Sequence, residues 1–162
     1  MKRLIMVAVL LMGGKIEASD CTIKLINFDT GGVRGDDKCL QPVKAFIAGI
    51  ESLGIAKEKV MDVIYGFMGM GKKPHLKIIV NSQQGGDTFH AKHGRAPQDT
   101  DVDAAYKVFV DTQRGLMEEG YPIIDGCVQV EKELKTMGIL IGNTTGFPSE
   151  LRDLANKRLA QQ

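Results

Sequence analysis

The feature that most constrains the fold is an alternation of short apolar segments with amphipathic ones. Apolar or β-branched runs bounded by turn-forming residues occur at residues 22–28, 75–82, 121–125 and 139–146. Such runs are typical of buried strands. Strands that alternate with helices predict an α/β fold. We therefore expect a three-layer sandwich of Rossmann-like topology, with a mostly parallel sheet of about 4–5 strands flanked by helices.

The segments between these runs predict helices, with one long loop among them. Apolar residues recur at three- and four-residue spacing, which places them on one helix face. The predicted helices cover residues 36–53, 56–70, 100–120, 128–137 and 148–162. Residues 83–100 are polar and rich in glycine, and they are predicted to form a loop. Binding and chemistry in parallel α/β folds gather where strands lead into helices.

The beginning of the chain predicts export. Lys2 and Arg3 precede an apolar run at 4–12, and small and polar residues follow up to Ala18. This order is typical of a secretory signal peptide at residues 1–18, followed by a single domain at 19–162 in the periplasm or outside the cell. The alternative is a buried first strand. The run is shorter than the roughly 20 apolar residues of a membrane span, so none is expected in the mature chain.

Charge and motifs exclude two classes of ligand. The formal charge of +1 gives no reason to expect nucleic acid as a partner. The segment Gly66–Lys72 has the spacing of a phosphate-binding loop, but bulky residues replace the small ones and no hydroxyl follows the lysine, so we interpret it as the end of a helix. His90 and His93 alone do not make a metal site. No cofactor and no metal are predicted.

The cysteines are the strongest candidates for chemistry. Cys127 follows the predicted third strand and begins a helix, whose first amides would stabilise a thiolate and lower its pKa. Cys39 follows the first strand and should lie at the same sheet edge. Cys21 should lie at the opposite edge, since a strand of about seven residues spans roughly 23 Å. A disulfide needs Cα atoms within about 7 Å, so Cys39–Cys127 is the predicted pairing if one forms. A buried, inert Cys127 is the remaining alternative.

The second half of the chain resembles a known family. A helix ending in glycine, a strand, a cysteine at its tip and a further helix run through "GLMEEGYPIIDGCVQVEKELKTMGI", and "TTGFPSELRDLANKRLAQQ" is similar to a terminal strand and helix. Over residues 115–160 this order resembles the DsrE/DsrF-like proteins of sulfur relay. The resemblance implies an α/β unit, frequent homo-oligomers and a persulfide-carrying cysteine, here Cys127.

Two functions are therefore expected from the sequence. In the first, an exported protein handles sulfur or thiol redox chemistry through Cys127, exchanging with a protein thiol or a sulfur donor or acceptor, and Cys39 resolves the intermediate. In the second, a Cys39–Cys127 disulfide is structural and the protein is a non-catalytic binding or assembly module. Whether the protein is an enzyme is left open by these two hypotheses.

Overall fold

A computed structural model describes residues 23–31, 33–35, 41–119 and 123–159 of the chain. Its two strands are β1, Leu25–Asp29, and β2, Leu140–Thr144. The α-helices are α1 (Gln41–Ser52), α2 (Met61–Gly66), α3 (Lys72–Asn81), α4 (Gln83–His93), α5 (Asp99–Glu119), α6 (Cys127–Thr136) and α7 (Ser149–Leu159), and a 3-10 turn spans Lys57–Lys59. The signal peptide predicted at residues 1–18 lies outside the described residues and stays a prediction.

The two strands lie side by side and run in the same direction. Their register pairs Leu25 with Leu140 at one end and Asp29 with Thr144 at the other. The sheet has two strands within the described part of the chain, and the α/β class with a parallel sheet is confirmed. Because both strands end at the same edge, Asp29 and the loop after Thr144 are neighbours.

One segment predicted to form a strand is a helix in the structure. The prediction of a strand at residues 75–82 is wrong, because these residues lie almost entirely in α3. The buried residues of this helix are Lys72, His75, Leu76, Ile79 and Val80, which is helical spacing. The β-branched residues at 78–80 favour a strand locally, but the segment forms a helix because it packs against α1 and α5 in that conformation.

The prediction of a loop at residues 83–100 is also largely wrong, because α4 occupies Gln83–His93. Ser82 caps this helix, and its hydroxyl accepts a hydrogen bond from the Gly85 amide at 3.1 Å. Gly94 closes it in the left-handed conformation with φ 67°. Only Phe89 brings a large buried side chain, so a polar, glycine-containing composition concealed a helix whose ends are well specified.

The third strand, predicted at residues 121–125, forms a single β-bridge in its described part, residues 123–125. Ile123 forms an isolated antiparallel bridge with Gly35, and residues 125–126 make a turn into α6. The helices predicted near 36–53, 100–120, 128–137 and 148–162 are confirmed as α1, α5, α6 and α7. The helix predicted at 56–70 is confirmed only in part, as the 3-10 turn at Lys57–Lys59 and the short α2. The four confirmed segments were recognisable because their apolar stripes are long.

The core lies between α1 and α5. Phe46 and Phe109 face each other with ring centroids 4.7 Å apart, and the helices approach closely at Gly49. Helices α3 and α7 pack on the other sides of α5. The fully buried apolar side chains of these four helices include Phe46, Ile50, Leu76, Ile79, Phe109, Met117 and Leu151. None of the helices that the structure describes is long and apolar enough to cross a membrane.

The close approach at Gly49 gives a test of this packing. A Cβ at this position would lie 2.8 Å from the Ala105 carbonyl oxygen on α5, whereas a Cβ at Gly115 meets nothing within 4 Å. We expect Gly49→Ala to lower the free energy of unfolding by roughly 1 kcal/mol, because overpacking outweighs the gain in helix propensity. The matched control Gly115→Ala should be stabilising by ~0.5–1 kcal/mol. Urea denaturation measures both, and equal effects would contradict the packing.

Candidate functional site

A cleft of about 700 Å³ opens at the carboxyl ends of the strands. It lies where β1 ends, where α3 begins and where the loop after β2 leads into α7. Its lining residues are Asp29, Gly69, Gly71, Lys72, Lys73, Pro74, Tyr106, Thr144, Thr145, Gly146, Phe147 and Pro148. An adjoining hollow extends it past Gly31 and Met68. This is the sheet edge at which parallel α/β folds bind ligands.

Asp29 provides the carboxylate of the cleft. It is the last residue of β1, and its Oδ1 accepts a hydrogen bond from the Thr30 amide at 2.8 Å. Thr30 is buried, and its hydroxyl lies 2.7 Å from Oδ1 of Asn143 and 3.0 Å from the carbonyl oxygen of Thr144. These contacts tie the end of β1 to the end of β2, so the Asp29 carboxylate is held on a rigid edge.

Lys72 provides the amine. It is the first residue of α3 and is only 6% exposed, with Nζ 5.6 Å from the centre of the Phe147 ring and 5.8 Å from that of Phe46. Burial lowers the pKa of Lys72, and the nearby Asp29 carboxylate opposes this shift only in part. A lowered pKa leaves more of the amine neutral near pH 7, and the neutral amine is the nucleophilic form.

Gly146 brings the loop after β2 against the amine. A Cβ at this position would lie 2.8 Å from the Met70 carbonyl oxygen, 3.0 Å from that of Gly69 and 3.3 Å from Nζ of Lys72. Any larger residue would push the two segments apart. The glycine thus lets the sheet edge with Asp29 and the beginning of α3 with Lys72 form one cleft.

His75 lies one helical turn beyond Lys72 and is fully buried. Its ring centroid is 4.3 Å from that of Phe46, and Nε2 lies 3.4 Å from the Val63 carbonyl oxygen. Nδ1 has no hydrogen-bond partner among the described residues. Burial lowers the pKa of His75 and the Lys72 charge adds to the shift, so the imidazole stays neutral beside the amine.

The mouth of the cleft carries a second lysine. Nζ of Lys73 lies 2.6 Å from Oδ1 of Asp103, and hydrogen bonding to this carboxylate raises the pKa of Lys73. Tyr106 also lines the cleft, and partial burial raises the pKa of its hydroxyl. The mouth therefore keeps a protonated ammonium beside a neutral phenol, and both groups can donate hydrogen bonds to an anion.

Cys127, the main candidate from the sequence, lies elsewhere. It begins α6 after Gly126, its thiol is free and half-buried, and it is absent from the residues that line the cleft. Sγ lies 3.7 Å from Oε1 of Glu131. Burial and the Glu131 charge raise the pKa of Cys127 and outweigh the opposing effect of Arg34. The predicted lowering of this pKa is wrong, because burial and the Glu131 carboxylate raise it.

The other sequence candidates do not form a site either. Cys39 and Cys21 lie outside the described residues, so their predicted places at the sheet edges stay predictions, whereas the Cys127 thiol is free and the predicted Cys39–Cys127 disulfide is not formed in the structure. His93 is engaged structurally, with Nε2 2.8 Å from the Leu53 carbonyl oxygen and its ring stacked on Phe89. Within residues 23–31, 33–35, 41–119 and 123–159, no group of three or more histidine, cysteine or acidic side chains could hold a metal ion.

Neither Asp29 nor Lys72 was predicted from the sequence as a functional residue. Asp29 directly follows the predicted first strand, and an acidic residue at the end of a buried strand was the available signal. Lys72 was set aside with the rejected phosphate-loop spacing. Its surroundings come from Phe46 and Phe147, residues distant in the chain, and only folding brings them together.

Comparison with known proteins finds relatives that are named as hydrolases. No protein-family model matches the chain. The chain is 32% identical over 129 residues to phosphonoacetaldehyde hydrolase of Paraburkholderia phytofirmans, covering 80% of this chain and 48% of the relative. It is 29% identical over 128 residues to the enzyme of the same name from Pseudomonas aeruginosa. The chain thus spans about half the length of the relatives it matches.

Solved structures show the same fold. A phosphonoacetaldehyde hydrolase-like protein from Oleispira antarctica superposes with a TM-score of 0.76 at 22% identity, covering 94% of this chain and 54% of that one. A hydrolase from Pseudomonas syringae superposes with a TM-score of 0.63 at 17% identity, covering 85% and 56%. These likenesses show a mixed α/β fold, mostly helical with a small parallel sheet.

The comparisons correct the earlier resemblance. The assignment to the DsrE/DsrF-like family is wrong, because the relatives are named as hydrolases and cover four fifths of the chain. The sulfur-relay or thiol-exchange function through Cys127 is wrong for the same reason, and so is the alternative of a binding module held by a disulfide. The order strand, glycine, cysteine and helix misled because such strand-to-helix steps recur in all parallel α/β folds.

The electrostatics of the two adjacent lysines give a prediction. The pKa of Lys72 is lowered and that of Lys73 is raised, so Lys72 becomes neutral at the lower pH. We expect acetylation by acetic anhydride, a reagent that only the neutral amine attacks, to reach half of its maximum rate at lower pH for Lys72 than for Lys73. Peptide mass spectrometry after brief labelling at a series of pH values measures each residue. The reverse order would contradict the burial of the Lys72 amine.

Proposed function

We propose that the cleft binds a phosphonate-bearing aldehyde and takes part in hydrolysis of its carbon–phosphorus bond, with phosphonoacetaldehyde as the substrate. The observation that carries the proposal is the buried Lys72 amine, with its lowered pKa, facing the Asp29 carboxylate in one cleft. The similarity to phosphonoacetaldehyde hydrolases supports it. Since the chain spans about half the length of those relatives, the proposal concerns the part of the site that the described residues form.

The substrate presents two groups that match the two functional side chains. Phosphonoacetaldehyde has an electrophilic aldehyde carbon, a methylene group and a phosphonate. Hydrolysis adds one water and gives acetaldehyde and inorganic phosphate. The carbon–phosphorus bond does not break readily unless the carbon can accept its electron pair, so the site needs an electron sink on the aldehyde side and an acceptor for the phosphoryl group.

Lys72 can create the electron sink. Its neutral amine attacks the aldehyde carbon, the adduct takes up one proton and loses water, and a protonated imine forms; the proton is returned when the imine is hydrolysed at the end of the reaction. The apolar rings of Phe46 and Phe147 keep the amine desolvated and favour its neutral form before attack. The unpartnered Nδ1 of His75, one turn away, is suited to receive the proton released when the amine adds.

Asp29 can accept the phosphoryl group. The protonated imine draws the electron pair of the carbon–phosphorus bond into an enamine, while a carboxylate oxygen of Asp29 forms a bond to phosphorus. Water then hydrolyses the aspartyl phosphate and releases inorganic phosphate. The enamine takes up a proton on carbon, and hydrolysis of the resulting imine releases acetaldehyde and returns the Lys72 amine. All atoms balance with one net water consumed.

Two substitutions separate the two halves of this reaction. Lys72→Arg keeps a long basic side chain but cannot form an imine, so borohydride trapping of the aldehyde and phosphate release should both fall below detection. Asp29→Asn should still be trapped at Lys72, while phosphate release should fall by at least about 10³-fold, since the phosphoryl acceptor is gone. Mass spectrometry and a phosphate assay measure the two steps.

The matched control is Lys77→Met. Lys77 lies on the same helix and pairs with Asp99 at the surface, outside the cleft that Lys72 lines. It should leave both trapping and release unchanged. If Lys72→Arg were still trapped, or if wild-type protein released no phosphate and formed no adduct, the proposed function would be wrong.

Lys73 should contribute to binding of the anionic substrate. It lies at the mouth of the cleft as a protonated ammonium. We expect Lys73→Met to raise KM several-fold, about 2- to 10-fold, with kcat nearly unchanged, because the charge acts equally on bound substrate and transition state. The increase should shrink at high salt. Steady-state kinetics at low and high ionic strength measure it, and a drop in kcat alone would argue against this role.

A further inference from the structure

A largely buried ion pair lies outside the cleft and takes no part in the proposed reaction. Nε of Arg34 lies 2.7 Å from Oε1 of Glu131, and the two side chains are only 11% and 13% exposed. Buried ion pairs contribute little net stability, because desolvation offsets the attraction between the charges. Their better-supported use is to fix one geometry among several.

Arg34 belongs to the turn that follows Asp29. The Gly35 amide donates to the Thr30 carbonyl oxygen at 2.9 Å, and Gly31 forms a bridge with Gly35. The turn is thereby closed on itself. Asp29 and Gly31 line the cleft, so a shift of the turn would change the position of the carboxylate.

Glu131 anchors that turn to α6. The Arg34 carbonyl oxygen accepts a hydrogen bond from the Ile124 amide at 2.9 Å, just before α6, and α6 itself packs on β2. The Arg34 side chain then reaches the second turn of the helix. Cys127 lies one turn before Glu131, with its half-buried thiol against the ion pair. A packing role beside this pair accounts for Cys127 without any thiol chemistry.

We propose that Arg34 and Glu131 are positioning residues, which hold the turn after β1 so that the Asp29 carboxylate faces Lys72. This inference rests on the proposed function for its effect on turnover. Neither side chain is among the residues that line the cleft, so the pair acts through Asp29.

The Lys72 amine can report on the position of Asp29. Asp29 on β1 and His75 on α3 interact electrostatically with this amine, and Lys73 on α3 and Tyr106 on α5 line the same cleft. Of these, the Asp29 carboxylate raises the pKa of Lys72. If the turn moves and the carboxylate withdraws, the pKa of Lys72 falls further, so acetylation of Lys72 by acetic anhydride should begin at lower pH.

The experiment compares the single variants Arg34→Met and Glu131→Met with the double variant Arg34→Met/Glu131→Met and with Arg34→Lys. Stability is measured by urea denaturation, turnover by phosphate release, and the Lys72 pH profile by acetylation with acetic anhydride. Asp29→Asn serves as the positive control for the profile. Arg114→Met/Asp111→Met removes an exposed pair on α5 and serves as the negative control.

The two single variants should be less stable than the double variant, because each leaves one buried charge without its partner. A merely structural pair would therefore regain activity in the double variant together with stability. We expect instead that the double variant keeps a kcat lowered by about 10- to 100-fold, as misplaced catalytic groups cause. Its Lys72 profile should shift to lower pH, in the direction of Asp29→Asn, and Arg34→Lys should recover part of kcat.

Superposed Lys72 profiles for wild type and the double variant would overturn the inference, and so would full recovery of kcat in the double variant. The labelling readout needs no turnover. If wild-type protein released no phosphate and formed no adduct, the proposed function would fail, while the shift of the Lys72 profile would still decide whether the ion pair positions Asp29.

Discussion

The parallel pairing of β1 with β2 is the contact on which the rest of the site depends. Its register sets Asp29 opposite Thr144, and the buried Thr30 hydroxyl ties the two strand ends together. The loop after β2 then leaves the sheet in a fixed direction. Had the register slipped by one residue, side chains would have changed faces and the carboxylate would have turned away from the cleft.

The second requirement is that the helical layer bring an amine to this edge. The packed helices α1 and α5 fix the position of α3. Because Gly146 has no side chain, Lys72, the first residue of α3, can approach the sheet. The same packing surrounds Lys72 with aromatic rings and leaves His75 neutral beside it. Burial thus both places the amine and shifts its pKa, so that stability of the core and reactivity of the site have one physical origin.

Cys127 shows how a correct position can suggest a wrong function. It does begin a helix after a tight glycine turn, as the sequence indicated. A thiolate, however, needs solvent or positive charge, and this thiol has partial burial and a carboxylate one turn away. The residue next to a helix N-terminus is reactive only if its other neighbours permit it, and those neighbours come from the fold.

The sequence by itself determined the α/β class, the two described strands and the long amphipathic helices, because these depend on local periodicity over many residues. It did not determine α3 and α4, since a short apolar run and a polar, glycine-containing segment are locally ambiguous and only packing and caps decide them. Only the tertiary structure determined the candidate site. The residues that form it are far apart in the chain: Asp29, Lys72 and Phe147. Their proximity, the burial of the Lys72 amine and the lowered pKa of Lys72 exist only once the chain has folded.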